Sequence, residues 1–196
     1  MSNPSIATLI ITRQEFSPTL LEQVAARLPA PWEFNLFFVH SGACLATEEL
    51  TVIPRQRDRI VCSFSHQHFK APTPTEETEP GSLYDLSGMI VESQLTLSLP
   101  ALHWPDESAM RQASDQVAIV IPRPTPKERN KQALRAAAAL ASKGLTVTVY
   151  QPTEQLPGSA NVAEAFRETL LDMNGRLLTA PPTPQELNQY GIVLEW

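Results

Sequence analysis

The chain has 196 residues, 42% of them hydrophobic, and a formal net charge of −6 from 15 basic and 21 acidic residues. This composition is typical of a globular protein, and the acidic balance disfavours a nucleic-acid partner, whose affinity depends on neutralised phosphates. Apolar runs such as Ile6–Thr12 are far shorter than the roughly 20 residues that span a bilayer, so we expect no membrane segment.

The amino terminus lacks an export signal, and two cysteines are too few for a disulfide scaffold. We therefore expect a cytoplasmic protein whose thiols stay reduced.

Strands and helices alternate along the first half of the sequence. Apolar runs predict strands at Ile6–Thr12, Phe34–Val39, Arg59–Cys62 and Leu99–Trp104. Helices are predicted from Ser17-Pro18 onward and over Ser82–Ser98. The segment Lys70–Gly81 holds three prolines, three threonines and three glutamates without apolar periodicity, which predicts a mobile surface loop.

The same alternation begins again after Pro105. Strands are predicted at Val117–Pro122, Leu145–Tyr150, Arg176–Ala180 and Ile192–Trp196, and helices at Pro126–Lys143, Ser159–Met173 and Pro184–Tyr190. Strands separated by helices imply right-handed βαβ crossovers. The predicted fold is therefore α/β: a three-layer, mostly parallel sheet with helices on both faces, in two related βαβ halves at residues 1–107 and 115–196.

Three segments of the first half resemble the DsrE/TusD-like sulfur-relay proteins. Phe37–Ala46 looks like the second strand and its glycine-containing loop, Arg59–Phe64 like the strand that ends at the active cysteine, and Leu83–Ser93 like the helix that follows. The resemblance implies an α/β subunit that carries sulfur as a persulfide on one cysteine, and it places that cysteine at Cys62. It also implies sulfur donor and acceptor proteins as partners, and a homo- or hetero-oligomer.

The second half resembles the family less closely, through Val117–Tyr150 and Arg176–Pro182. Proline, near Pro181 or Pro182, occupies the position that could carry a cysteine. The resemblance therefore implies that the second half is catalytically silent, a degenerate copy without a thiol.

Cys62 lies where a persulfide carrier needs its thiol, at the expected carboxyl edge of the sheet. If a helical turn starts after it, the free N–H groups of that turn would favour a thiolate. His66 would then lie one turn away as a cationic partner or proton acceptor, and Ser63 and Ser65 could donate hydrogen bonds to the sulfur. Cys44, in a Ser-Gly-Ala-Cys loop, could reach the same edge as a second acceptor.

Each of these assignments has a structural alternative. Free cysteine is among the most buried residue types, so Cys62 and Cys44 could be core residues. His66 and His68 are spaced too closely for a zinc motif, and neither a dinucleotide-binding nor an NTP-binding loop occurs. We therefore expect no metal and no cofactor. Two functions stay open: a persulfide carrier acting through Cys62, and a non-catalytic structural or regulatory subunit of the same fold.

Overall fold

The structure is a computed structural model that describes most of the chain. The described residues are 4–15, 18–28, 31–48, 50, 53, 55–100, 103–105, 115–122, 127–150 and 160–196. They divide into two compact units, residues 1–102 and 103–196.

The first unit contains five strands and three α-helices among its described residues. The strands are β1 Ile6–Ile11, β2 Glu33–Phe38, β3 Gln56–Cys62, β4 Glu79–Gly81 and β5 Leu95–Leu99. The α-helices are α1 Pro18–Arg27, α2 Ser63–His68 and α3 Leu83–Glu92, and a 3₁₀ helix spans His40–Leu45.

All strand pairs of the first unit are parallel, in the order β4-β3-β2-β1-β5. The right-handed crossover rule places α1 and α3 on opposite faces, because the chain moves in opposite directions across the sheet through them. The predicted α/β fold class is confirmed. The side chains of Ile11, Leu36 and Phe38 and those of Ile10 and Phe37 fill the two faces and are fully buried.

The face that carries Thr8 lies under α3. The Thr8 hydroxyl bonds the Met89 carbonyl at 3.3 Å and the Ser93 hydroxyl at 2.7 Å. In register with Thr8, on the two neighbouring strands, lie Asn35 and Thr96. Both are buried, and neither the Asn35 amide nor the Thr96 hydroxyl has a hydrogen-bond partner among the described residues. A polar row therefore crosses the core beneath α3.

The opposite face carries the 3₁₀ helix. A Cβ atom at Gly42 would overlap the carbonyl oxygen of Ile11 and lie 3.1 Å from its Cγ2 atom. Only glycine permits this close backbone approach. The 3₁₀ helix is thus pressed against the end of β1, on the face where the Ile11 side chain lies.

Arg59 of β3 fastens the 3₁₀ segment to the sheet. Its Nη2 donates to the carbonyls of Ala46 at 3.2 Å and Glu48 at 2.9 Å, and its Nη1 donates to Gln56 Oε1 at 2.8 Å. Its Nε donates to Thr78 Oγ1 at 3.2 Å. All these acceptors are uncharged, so hydrogen bonds to neutral groups hold the cation in place.

The environment of Arg59 is apolar on one side and acidic on the other. The guanidinium carbon lies 5.4 Å from the centroid of the Phe38 ring, and the residue is 8% exposed. Desolvation by burial lowers the pKa of the guanidinium, and the nearby Glu77 carboxylate raises it. Arginine nevertheless stays charged at neutral pH.

The second unit repeats the strand order of the first. Its strands are β6 Gln116–Val120, β7 Thr146–Tyr150, β8 Arg176–Leu178 and β9 Ile192–Glu195, and its helices are α4 Lys127–Ser142, α5 Ala160–Asp172 and α6 Pro184–Leu187. The order β8-β7-β6-β9 is parallel throughout and corresponds to β3-β2-β1-β5. The described part of this unit contains no counterpart of β4 or α2.

Two predictions at the end of the first unit are wrong. The helix predicted over Ser82–Ser98 ends at Glu92, and residues 95–99 form β5, whereas the last strand was predicted at Leu99–Trp104. The alternation of Leu95, Leu97 and Leu99 has the period of a strand. The predicted loop Lys70–Gly81 also ends in a strand, β4. The predicted cap at Ser17 lies outside the described residues.

Among the described residues, no helix is both long enough and apolar enough to cross a membrane.

Replacing Arg59 tests its role in holding the fold. In Arg59→Met the apolar stem stays, but the four hydrogen bonds that Arg59 donates are lost and the Glu48 carbonyl is left without its Arg59 donor, so the free energy of unfolding should fall by about 3 kcal/mol. Arg57→Met is the control, because the Arg57 side chain is 43% exposed, and it should change stability by less than about 0.5 kcal/mol. Urea denaturation measures both, and equal effects would contradict the assignment.

Two glycines offer a matched pair with opposite signs. Gly42→Ala should destabilise the protein by about 2 kcal/mol or more, because the added methyl overlaps backbone. Gly88 lies within α3 and has open space where a Cβ would stand, so Gly88→Ala should stabilise the protein by about 0.5 to 1 kcal/mol through helix propensity. Thermal or urea unfolding gives both signs; destabilisation by Gly88→Ala would show that α3 packs differently.

Candidate functional site

The carboxyl ends of β1, β2 and β3 meet at one edge of the first sheet, because Ile11 pairs with Phe38 and Phe38 pairs with Val61. The 3₁₀ helix follows β2 at this edge, and α2 begins at Ser63, directly after β3. The helical turn that the persulfide prediction required is therefore present.

Cys62 is the last residue of β3 and is buried, with 3% of its surface exposed. Side chains alternate along a strand, so Cys62 points to the face opposite that of Val61. Its partner in β4 is Gly81, where a Cβ would lie 3.2 Å from a carboxylate oxygen of Asp85 in α3. The thiol thus belongs to the α3 face, and its sulfur makes no hydrogen bond to a described residue.

Ser65 joins α2 to the end of β2. Its hydroxyl accepts a hydrogen bond of 2.9 Å from the backbone N–H of His40, and the side chain is fully buried. His40 adopts a φ of 55°, which is uncommon outside glycine. The Ser65 hydroxyl, expected to serve the sulfur, instead satisfies the backbone of this strained residue.

His66 is held by the loop that follows α2. Its Nε2 lies 3.0 Å from the carbonyl oxygen of Pro72. A carbonyl only accepts hydrogen bonds, so Nε2 carries the proton and Nδ1 is the basic nitrogen of the neutral ring. The neighbouring His68 stacks on Phe64 at 5.8 Å and meets Phe69 edge-on at 5.0 Å, forming an exposed aromatic patch.

A cavity of about 340 Å³ lies beside His66 at the carboxyl ends of β3 and β4. Its apolar walls are Val61, Pro74 and Pro80. Its polar lining consists of Ser63, His66, Gln67 and Thr78. Val61 and Pro80 are register partners, so the cavity opens on the face of β3 opposite to the one that Cys62 faces.

A second cavity, of about 480 Å³, is lined by Arg59, Thr47, Thr75, Glu48, Glu76 and Glu77. The one cation that lines it already donates four hydrogen bonds to protein acceptors. With three glutamates beside it, this cavity disfavours anions.

Cys44 is a partly exposed free thiol in the 3₁₀ helix. That helix packs on the face of Ile11, whereas strand alternation directs Cys62 to the other face. The sheet therefore separates the two thiols. No group of three or more metal-ligating side chains occurs among the described residues.

The second unit has no thiol at the corresponding strand end. β8 ends at Leu178, which pairs with Tyr150, and the exposed residues Thr179 and Ala180 come next. The prolines expected in place of the cysteine, Pro181 and Pro182, follow one or two residues further on.

A pair of tyrosines lies at the carboxyl end of β7. The hydroxyls of Tyr150 and Tyr190 are 3.2 Å apart and their rings meet edge-on. Burial raises the pKa of the Tyr150 hydroxyl above its ordinary value of 10.0, and the hydrogen bond to Tyr190 raises it further. The hydroxyl therefore stays protonated at neutral pH and acts there as a neutral hydrogen-bonding group.

The sequence matches no model of a known protein family and no curated protein.

Sequence reasoning did not identify Arg59, Thr78 and Pro72, which shape the cavity or hold its walls. Thr78 donates to the Ala46 carbonyl at 3.0 Å and receives the Arg59 bond. These hydrogen-bond partners lie 19 to 32 residues apart in the sequence, so no local sequence pattern predicts their contact.

The different burial of the two thiols predicts their order of reactivity. In the native protein iodoacetamide should alkylate Cys44 first, because it is partly exposed, and Cys62 about a hundredfold more slowly than in urea, since a local opening of about 3 kcal/mol must precede its reaction. Peptide mass mapping over time measures both rates. Equal rates at the two native cysteines would contradict the buried placement of Cys62.

Proposed function

We propose that the chain is a sulfur carrier of the DsrE/TusD-like type, which holds a persulfide on Cys62 and passes its outer sulfur to a protein partner. The observation that carries the proposal is the position of Cys62, the last residue of a parallel strand at the carboxyl edge of the sheet. Open α/β sheets bind their ligands at this edge. The three segments that resemble the family supply the type of chemistry.

The transfer requires no external oxidant or reductant. The Cys62 thiolate attacks the outer sulfur of a donor persulfide, a new S–S bond forms, and the donor leaves as a thiolate. The thiol proton passes to solvent or to a neighbouring base. The acceptor protein then repeats the exchange on the outer sulfur and releases Cys62 as a thiolate.

The proposal rests on Cys62 without help from His66. The His66 ring bonds the Pro72 carbonyl and lines the cavity on the other face of β3. Ser65 is likewise occupied with the backbone of His40. Ser63 lines the same cavity as His66, so the proposal gives it no bond to the sulfur.

Burial of Cys62 suits storage of sulfur more than rapid exchange. An exposed persulfide is open to reduction by small thiols, whereas a residue that is 3% exposed is shielded from them. In this proposal sulfur donor and acceptor proteins reach Cys62 in the reducing cytoplasm by displacing the short helix α2 or the adjacent helix α3.

The same burial favours a second function, a non-catalytic interaction subunit of this fold. Free cysteine is often a core residue, and Cys62 is nearly inaccessible. In this case the thiol only packs, and the protein acts through its surface within an oligomer.

Sulfur loading distinguishes the two functions. After an incubation with glutathione persulfide long enough for Cys62 to open, and removal of the donor, intact mass should rise by up to two sulfurs, and peptide mapping should place one of them on Cys62 and the other on Cys44. A brief challenge with dithiothreitol should remove sulfur from Cys44 faster than from Cys62, by about tenfold or more, because Cys62 is buried.

Cys62→Ser and Cys44→Ser are the matched controls, and unfolded wild-type protein shows that the donor is active. The carrier proposal predicts a protected adduct in Cys44→Ser and none in Cys62→Ser. No adduct on native Cys62, with both cysteines modified in the unfolded chain, would refute the carrier and leave the interaction subunit.

A further inference from the structure

The cavity beside His66 has the features of a small binding site that is independent of the thiol. It lies at the carboxyl ends of β3 and β4, it has a mostly apolar wall, and a few polar groups converge on it. Ligand sites in α/β proteins combine these features. It opens on the face of β3 that Cys62 does not share, so its occupation does not require sulfur chemistry.

Hydrogen bonds hold the walls of this cavity in place. The Pro72 carbonyl fixes the His66 ring, and the hydroxyl of Thr78 is held between Arg59 and the Ala46 carbonyl. Side chains that hydrogen bonds already fix in the unliganded protein lose little conformational entropy when a ligand binds. The cavity is therefore preorganised.

The charges near the cavity select against anions. No lysine or arginine is among the described residues that line it. Arg59, which donates to the hydroxyl of the lining residue Thr78, has the Glu77 carboxylate nearby, and the only lysine or arginine between residues 63 and 100 is Lys70. Glu76, Glu77 and Glu79 flank the lining residues Thr78 and Pro80 along the same segment. Their negative potential attracts a cation and repels a carboxylate or phosphate.

The polar lining favours a ligand that donates hydrogen bonds. With Nε2 bonded to Pro72, the neutral His66 ring retains Nδ1 as an acceptor. The Ser63 hydroxyl and the Gln67 amide can each accept or donate, so Nδ1 of His66 is the group that favours a ligand with a donor.

We propose that this cavity binds a small cationic or neutral molecule with an apolar body and a hydrogen-bond donor, such as an arylalkyl amine or alcohol, and excludes anions of the same size. The apolar body lies against Val61 and Pro80, and the donor meets the polar lining around His66. The site adds a binding activity to the chain whether or not Cys62 carries sulfur.

Three probes of one shape and different charge test the site: benzylamine, benzyl alcohol and benzoate. In amide NMR titrations of the full-length protein, benzylamine and benzyl alcohol should shift signals of residues 61–67 and 74–80. Ligands this small reach a Kd of about 1 mM at best. Benzoate should bind at least about tenfold more weakly because of the glutamates.

Gln67 and His68 provide matched variants, because both are exposed on α2 and only Gln67 lines the cavity. Gln67→Trp should fill the cavity and weaken benzylamine binding about tenfold or more, whereas His68→Trp should leave binding within about twofold. An amide spectrum of each variant, with unchanged signals away from α2, establishes that it is folded.

Cys62→Ser separates this proposal from the sulfur carrier. It should bind benzylamine like the wild-type protein, while it loses the persulfide. The binding proposal is overturned if none of the probes shifts these signals, if benzoate binds as tightly as benzylamine, or if folded Gln67→Trp binds without loss.

Discussion

The buried guanidinium of Arg59 determines the shape of the first unit at its carboxyl edge. It reaches from β3 to the carbonyls that end the 3₁₀ segment and to Thr78 in the loop before β4. A buried cation is costly unless its donors are satisfied, so the strand, the 3₁₀ segment and the loop must keep their places together. The cavity walls and the hydrogen bond between Ser65 and His40 lie at this same edge of the sheet, where Arg59 holds the strand, the 3₁₀ segment and the loop together.

Adjacent residues of β3 face the two proposed sites, the cavity and the thiol. Val61 faces the cavity and Cys62 faces α3, because successive side chains of a strand point to opposite sides. A ligand in the cavity and a sulfur atom on the thiol thus share a strand without sharing a surface. Any communication between them would pass through the position of α2, which starts at Ser63 and carries His66 on the cavity wall.

Most of the fold could be predicted from local patterns, whereas the site could not. Apolar runs identified β1, β2 and β6, and α4 ends at Ser142, one residue before its predicted end at Lys143. Local patterns missed β5 because its apolar residues continue those of α3. They missed β4 because its three residues, Glu79, Pro80 and Gly81, are typical of a loop. Cys62 and His66 belong to opposite faces of β3 because the strand stops at Cys62 and α2 begins at Ser63. The spacing of the two residues in the sequence does not show where the strand ends.

The two units differ in two crossovers. Between the second and third strands the first unit has the 3₁₀ helix and the second has α5, and the next connection differs further. In the first, residues 63–82 connect β3 to α3 and contain α2, the cavity loop and β4, whereas in the second residues 179–183 connect β8 directly to α6. If the units arose by duplication, the shared four-strand scaffold would have tolerated insertion or loss at these connections, because each unit has its own buried core. Functional divergence would then be concentrated in the two connections that flank the third strand of each unit.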